Sequence, residues 1–174
     1  MGNLRILGID PGTTLVGWAV LENKNGSIVP IAYGHINTKG NFLESEKIMA
    51  ISQQLHEVIL KHSPNEAAVE KVFFFKNQKT VINVSQARGA ILLILEQNNM
   101  PAFEYTPLQI KQAVTGYGRA DKNQIQQMTK NILRLTQIPK PDDTADALAT
   151  AICHIHSRKN EILKRELHLS KYKI

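Results

Sequence analysis

Three segments of the chain each place carboxylates where an apolar element begins or ends. Leu4, Ile6, Leu7 and Ile9 have the character of a buried central strand, which stops at Asp10 and is followed at once by the tight-turn pair Pro11-Gly12. Residues 65–72, NEAAVEKV, repeat the arrangement, with Ala67, Ala68 and Val69 running into Glu70. The third group, Asp142, Asp143 and Asp146, opens PDDTADALATAICHIH, where Ala145, Leu148, Ala149, Ile152 and Ile155 recur at helical spacing. Asp143 and Asp146 are three apart and share one face of that helix.

Each group has a quieter explanation. Asp10 could bond its own turn, Lys71 could pair with Glu70, and the aspartates could cap a helix and complement its dipole. One cap needs one aspartate, however, and Asp146 lies inside the helix beside its apolar stripe. A carboxylate buried without a partner must find a cation or stay protonated. Four carboxylates at two strand ends and one helix start suit a hard divalent cation such as Mg²⁺, with Mn²⁺ an alternative for the same ligands. A pair of such ions ~3.5–4 Å apart would activate a water and stabilise the leaving oxygen of a phosphodiester. Cys153 is the sole cysteine, which removes disulfide and Cys-based zinc chemistry. His154 and His156 are two apart, point in different directions on a helix, and read as ordinary helix residues, with a place near the acids the alternative for either.

The elements that must hold these acids follow from periodicity and turn signals. Strands are expected near 4–10, 15–23, 28–37, 66–72 and 102–106, and Asn25-Gly26 is a hairpin turn signal. Helices are expected over about 43–62, 78–98, 107–115, 122–136 and 142–160. Three strands joined by short turns, then strands alternating with helices, imply an α/β fold: a mixed five-stranded sheet with helices on both faces. Residues 1–160 read as one domain, and 161–174 as a basic C-terminal tail without an obvious packing partner, expected to fray unless DNA orders it.

Charge is segregated along the chain. Residues 1–70 hold five Lys/Arg against seven Asp/Glu, and residues 71–174 hold sixteen against eight. Residues 71–88 contain Lys71, Lys76, Lys79 and Arg88 with no acid; residues 105–141 contain six basic residues against Asp121 alone. Such stretches fit either solvated helix faces or a phosphate-contacting surface around an acidic pocket. In the Phe73-Phe74-Phe75 triplet, residues 73 and 75 point opposite to 74 in an extended segment, so one aromatic is left to stack on a base or must find other cover. Gly116 and Gly118, around Tyr117 and before Arg119, read as a flexible basic loop or a plain helix connection. With one cysteine, no signal peptide and no apolar run of membrane-spanning length, the expected location is the cytoplasm, with no membrane contact.

GIDPGTTLVGWAV, EKVFFFKNQKT, SQARGA, KQAVTGYGRADKNQIQ and DDTADALATAICH, in this order, resemble the RuvC family of bacterial Holliday-junction resolvases from about Ile6 to His156. The resemblance implies a ribonuclease-H-like fold, a homodimer, two divalent ions per active site, and paired symmetric nicks in four-way junction DNA during recombination and repair. It implies Asp10, Glu70, Asp143 and Asp146 as catalytic acids and metal ligands. Phe73 corresponds to the junction-contacting aromatic, and Lys76, Arg88, Lys111 and Lys122 to basic DNA contacts; Arg119 joins them from the glycine loop. A branch-migration complex is an implied partner. Two other classes were open on the residues: a non-catalytic junction-binding module, which gains nothing from four acids facing phosphates, and an actin-like or sugar-kinase ATPase using DPGTT as a phosphate loop. The ATPases cradle a nucleotide between two such domains, for which 174 residues are too few. The helix around Thr80–Gln97 is the expected dimer interface, because Ala90–Leu95 is six apolar residues in a row and covers every side of a helix.

Overall fold

The computed structural model describes residues 3–71 and 78–172, so the expectations for Phe73, Phe74, Phe75 and Lys76 lie outside the described residues. Five strands, β1 (Leu4–Asp10), β2 (Leu15–Lys24), β3 (Ser27–Asn37), β4 (Glu66–Glu70) and β5 (Ala102–Tyr105), form one sheet in the order β3-β2-β1-β4-β5. β1, β2 and β3 pair antiparallel as a meander, and β4 and β5 add in parallel beside β1. The β2–β3 hairpin closes at Asn25-Gly26, both at positive φ (52° and 87°), the pair of left-handed residues that a two-residue turn requires.

Strand alternation sorts the side chains onto two faces. Leu7, Ile9, Val16, Val20, Ala67 and Val69 pack under α1 (Glu44–His62) and α2 (Gln78–Gln97). Ile6, Ala19, Leu21, Ala68, Phe103 and Tyr105 pack under α3 (Pro107–Thr115), α4 (Lys122–Ile132) and α5 (Asp142–Tyr172). Helix α5 lies directly on β1 and β2 because small residues leave it room. A Cβ on Gly8 would collide with the Ala147 carbonyl oxygen and stand 2.8 Å from the Ala151 methyl, and one on Gly17 would collide with the Asp143 carbonyl oxygen. The first turns of α5 are thereby seated over the C-terminal end of β1.

Two helix boundaries differ from expectation. Helix α4 stops at Ile132 rather than near 136: Arg134 takes a left-handed φ of 53°, and the Leu135 N–H reaches back to the Lys130 carbonyl at 2.9 Å. This is the left-handed helix stop usually made by glycine, here carried by arginine because Leu133 and Leu135 must turn into the core. Helix α5 continues past 160 to Tyr172, so the segment expected to fray is helical. Its partners are Ile162 against the core, Arg165 over the Phe103 ring at 5.4 Å, and a Glu161–Lys164 pair at 2.7 Å. No described helix is long and apolar enough to cross a membrane.

Candidate active site

The alternation that sends Ile9 and Val69 toward α1 and α2 turns Asp10 and Glu70 to the opposite face, toward α5. Ile9 and Val69 are partners in the parallel β1–β4 ladder, so the two acids stand side by side at the carboxyl ends of adjacent parallel strands. That is where open α/β sheets place their ligands. Helix α5 completes the group by bringing Asp143 and Asp146 over the same edge. The four acids of the sequence reading are therefore gathered from three elements, and Asp142 lies just outside them on the solvent side.

Their electrostatics show how closely they are held. Burial, then the Glu70, Asp146 and Asp143 carboxylates, raise the Asp10 pKa well above the usual carboxylate value, with Lys122 pulling it back. Glu70 is raised to about 7 by burial and by Asp146, against Lys122 and Lys111. Asp146 is raised as well, chiefly by burial, with Lys122 opposing. Mutual elevation of this kind marks like charges sharing a low-dielectric site, and it is relieved when a cation binds among them.

The cation in direct contact with the acids is Lys122. The capping box of Asp121 and Gln124, with bonds of 2.8 and 2.9 Å, sets the start of α4. Lys122 follows the cap, and its Nζ lies 3.2 Å from Asp146 and 3.3 Å from Asp142. Burial works against the Lys122 charge, but Asp146 and Asp142 outweigh it and raise its pKa. Lys140, 2.8 Å away, is the main reason the Asp142 carboxyl is held down at about 2. Glu70, Lys111, Lys122 and Asp146, with Pro107, Ile110, Ile125 and Ala149, line a cleft of about 180 Å³. As the side chains lie, no three His, Cys, Asp or Glu residues among those described close around one point as an ion's ligands. The donor set nonetheless fits a hard divalent cation: it is all oxygen, anionic, half-buried and electrostatically under-compensated.

Of the expected DNA contacts, Lys111 lines the cleft from α3, whose Thr106–Gln109 capping box fixes its start. Lys122 enters the acid group itself, and Arg119 is exposed in the loop between α3 and α4. Arg88 stands apart, on the other side of the sheet, where it pairs with Glu104 of β5. The sequence reading passed over the Lys140–Asp142–Lys122 chain. It also took His154 for an ordinary helix residue, whereas His154 is fully buried between Tyr105 and Glu66.

A family model described as "Crossover junction endodeoxyribonuclease RuvC" matches residues 6–154. A protein of that name from Caldicellulosiruptor saccharolyticus is 48% identical over 164 residues, covering 94% of this chain and 99% of the relative. One from Petrotoga mobilis is 52% identical over 155 residues, covering 89% of this chain and 95% of the relative. Among solved structures, Thermus thermophilus RuvC in complex with a Holliday junction substrate superposes with a TM-score of 0.85 at 31% identity, over 90% of this chain and 96% of that one.

Proposed function

The chain belongs to the RuvC family of crossover junction endodeoxyribonucleases, and from that premise we propose that Asp10, Glu70, Asp143 and Asp146 are the acids with which it cuts. The protein is a metal-dependent nuclease that binds and resolves Holliday junctions. The observation that carries the assignment of the acids is their convergence from β1, β4 and α5 onto one edge, where burial and mutual repulsion raise Asp10, Glu70 and Asp146 together. A module that merely bound DNA would gain nothing from such a group.

In the proposed mechanism Asp10, Glu70, Asp143 and Asp146 would hold two Mg²⁺ ions, which would supply an activated water and charge neutralisation at the leaving oxygen. Water forms the new bond to phosphorus and the bond from phosphorus to the 3′ oxygen breaks, leaving a 5′ phosphate and a 3′ hydroxyl. Lys122 holds the Asp146 carboxylate in place, and with Lys111 it offsets the negative field that would otherwise repel a phosphodiester entering the cleft. Arg119 extends that positive edge, and Phe73 and Lys76 serve the junction on the sequence grounds given above. Arg88 braces α2 against β5 through Glu104 before any contact with DNA.

The protein works as a homodimer through α2. Ile91, Ile94 and Leu95 of the apolar run are buried in the chain's own core, which leaves Ile82 and Leu93, each 59% exposed, on one stripe with Gln86 and Gly89. A Cβ at Gly89 would meet nothing within 4 Å, so a second helix can approach closely there. A two-fold pair presents two sites to a symmetric junction and accounts for paired nicks. Its setting is the cytoplasm, beside a branch-migration complex. The test is a synthetic four-way junction incubated with and without Mg²⁺: symmetric nicks in two strands are expected only with the ion, and metal-independent cutting or binding alone would overturn the reading.

A further inference from the structure

We propose that the buried Tyr105, His154 and Glu66, closed off by the half-exposed Arg158, form a positioning assembly that sets the spacing between the Glu70 and Asp146 carboxylates; the inference rests on the reading of those two as catalytic acids. Glu66 begins β4, the strand that ends in Glu70, and lies on the same face. Tyr105 is the register partner of Glu70 across the β4–β5 ladder, and its carbonyl accepts from the Lys71 N–H at 2.8 Å, one residue beyond Glu70. His154 and Arg158 are on α5, eight and twelve residues after Asp146, so the helix that carries Asp146 also carries this grip.

The hydrogen bonds join these elements end to end. Arg158 donates to both Glu66 oxygens, from Nε at 2.8 Å and from Nη2 at 2.5 Å. The Glu66 carboxylate is then an acceptor only, so His154 Nε2 donates to it at 2.8 Å. Nδ1, the remaining ring nitrogen, takes the Tyr105 O–H at 2.6 Å, a tautomer assigned from the network. The Phe103 ring packs against the imidazole with centroids 4.6 Å apart.

Packing alone does not do this job. Gly8 and Gly17 let α5 settle onto β1 and β2, but apolar contact is non-directional and leaves rotation and sliding of the helix against β4 and β5 weakly set. Directional bonds from two successive turns of α5 to Glu66, and from β5 to one of those turns, fix both. The same bonds stabilise the fold, since they hold the Glu66 carboxyl well below its ordinary value, but stability alone does not call for links that join β4, β5 and α5 at once. A misplacement of ~1 Å at a reacting centre can cost ~10²-fold in rate, which gives a rigid link between the two acids a clear use.

The experiment compares Tyr105→Phe, which deletes one hydroxyl; His154→Leu, which removes donor and acceptor; His154→Gln, which keeps one of each; and Ile51→Val, a core control on the buried face of α1 for a general loss of Tm. Single-turnover junction cleavage in saturating Mg²⁺, junction Kd in Ca²⁺, and Mn²⁺ binding to the DNA-free protein by calorimetry are read for each. Tyr105→Phe and His154→Leu should slow cleavage ~10-fold or more and weaken Mn²⁺ binding several-fold with junction Kd unchanged. His154→Gln should recover part of both, and Ile51→Val should change neither. If Tyr105→Phe, and His154→Leu where it folds, lose only Tm, with wild-type cleavage and Mn²⁺ affinity, the assembly is merely structural and the inference fails. A wild-type protein that does not cut the junction would instead overturn the reading beneath it.

Discussion

Glu70→Gln should make the metal-free protein more stable, even though it removes one of the proposed catalytic acids. The Glu70 carboxyl sits at about 7 in the folded chain, against an ordinary 4.5, because it is buried beside Asp146. A carboxyl whose folded pKa is raised holds its proton in the native state after the unfolded chain has released it. Stability is therefore lost as pH rises from about 4.5 to about 7, and the loss is complete above that window. At about 1.4 kcal/mol per pH unit the full penalty is about 3 kcal/mol, an upper figure because Asp10 and Asp146 are raised alongside it and titrate with it. For a chain of this size each kcal/mol corresponds to roughly 2–4 °C in Tm, so Glu70→Gln should melt about 3–10 °C above wild type at about pH 8 in EDTA. The advantage should shrink toward zero as pH approaches about 4.5, where both side chains are neutral. Saturating Mg²⁺ should reverse the order by stabilising wild type through binding. Thermal melts across pH, with and without the ion, decide the matter. A variant no more stable than wild type at high pH, or one whose advantage does not depend on pH, would refute the buried like-charge cluster.

Glu66 runs the other way: burial is outweighed by bonds from His154 and Arg158, which lower its pKa to about 2, so stability should fall as pH drops from about 4.5 toward 2, and Glu66→Gln should lose that pH dependence in acid unfolding curves. Junction affinity should fall steeply with salt, and Lys111→Ala should reduce the slope of log K against log salt by about 1 in titrations at several salt concentrations. If the proposed α2 dimer forms, Leu93→Asp should convert it to a monomer in sedimentation at micromolar concentration. A wild-type protein that sediments as a monomer yet nicks both strands would contradict the α2 interface.

Most of what positions the site was legible in the chain, for a local reason. Asp10 and Glu70 each end an apolar strand, and a period of two decides which face the next side chain takes, so both acids had to leave the core on one side. The Asp143–Asp146 spacing gave their common helix face in the same way. What stayed hidden depends on partners far apart in sequence or on residue types that carry no signal. Nothing in ILRLTQ announces that Arg134 will take the left-handed turn that ends α4. Lys122 was read as a DNA contact, and nothing in the chain placed it among the acids until α4 packed beside α5 and set it between Asp142 and Asp146. His154 pairs with Tyr105, 49 residues before it, and with Glu66, 88 before it, contacts that no periodicity encodes. The length of α5 was missed because the partners of Ile162 and Arg165 lie on the core and on Phe103.

The assignment of the acids is tested most directly by Asp10→Asn on a labelled four-way junction, with binding and nicking measured on the same preparation. The substitution keeps the shape of the side chain and removes one ligand charge, and it lessens the negative field that incoming phosphates meet. Junction binding equal to or tighter than wild type, with cleavage in Mg²⁺ lowered to background, is the predicted result. Nicking near the wild-type rate would remove Asp10 from the catalytic set and contradict the account.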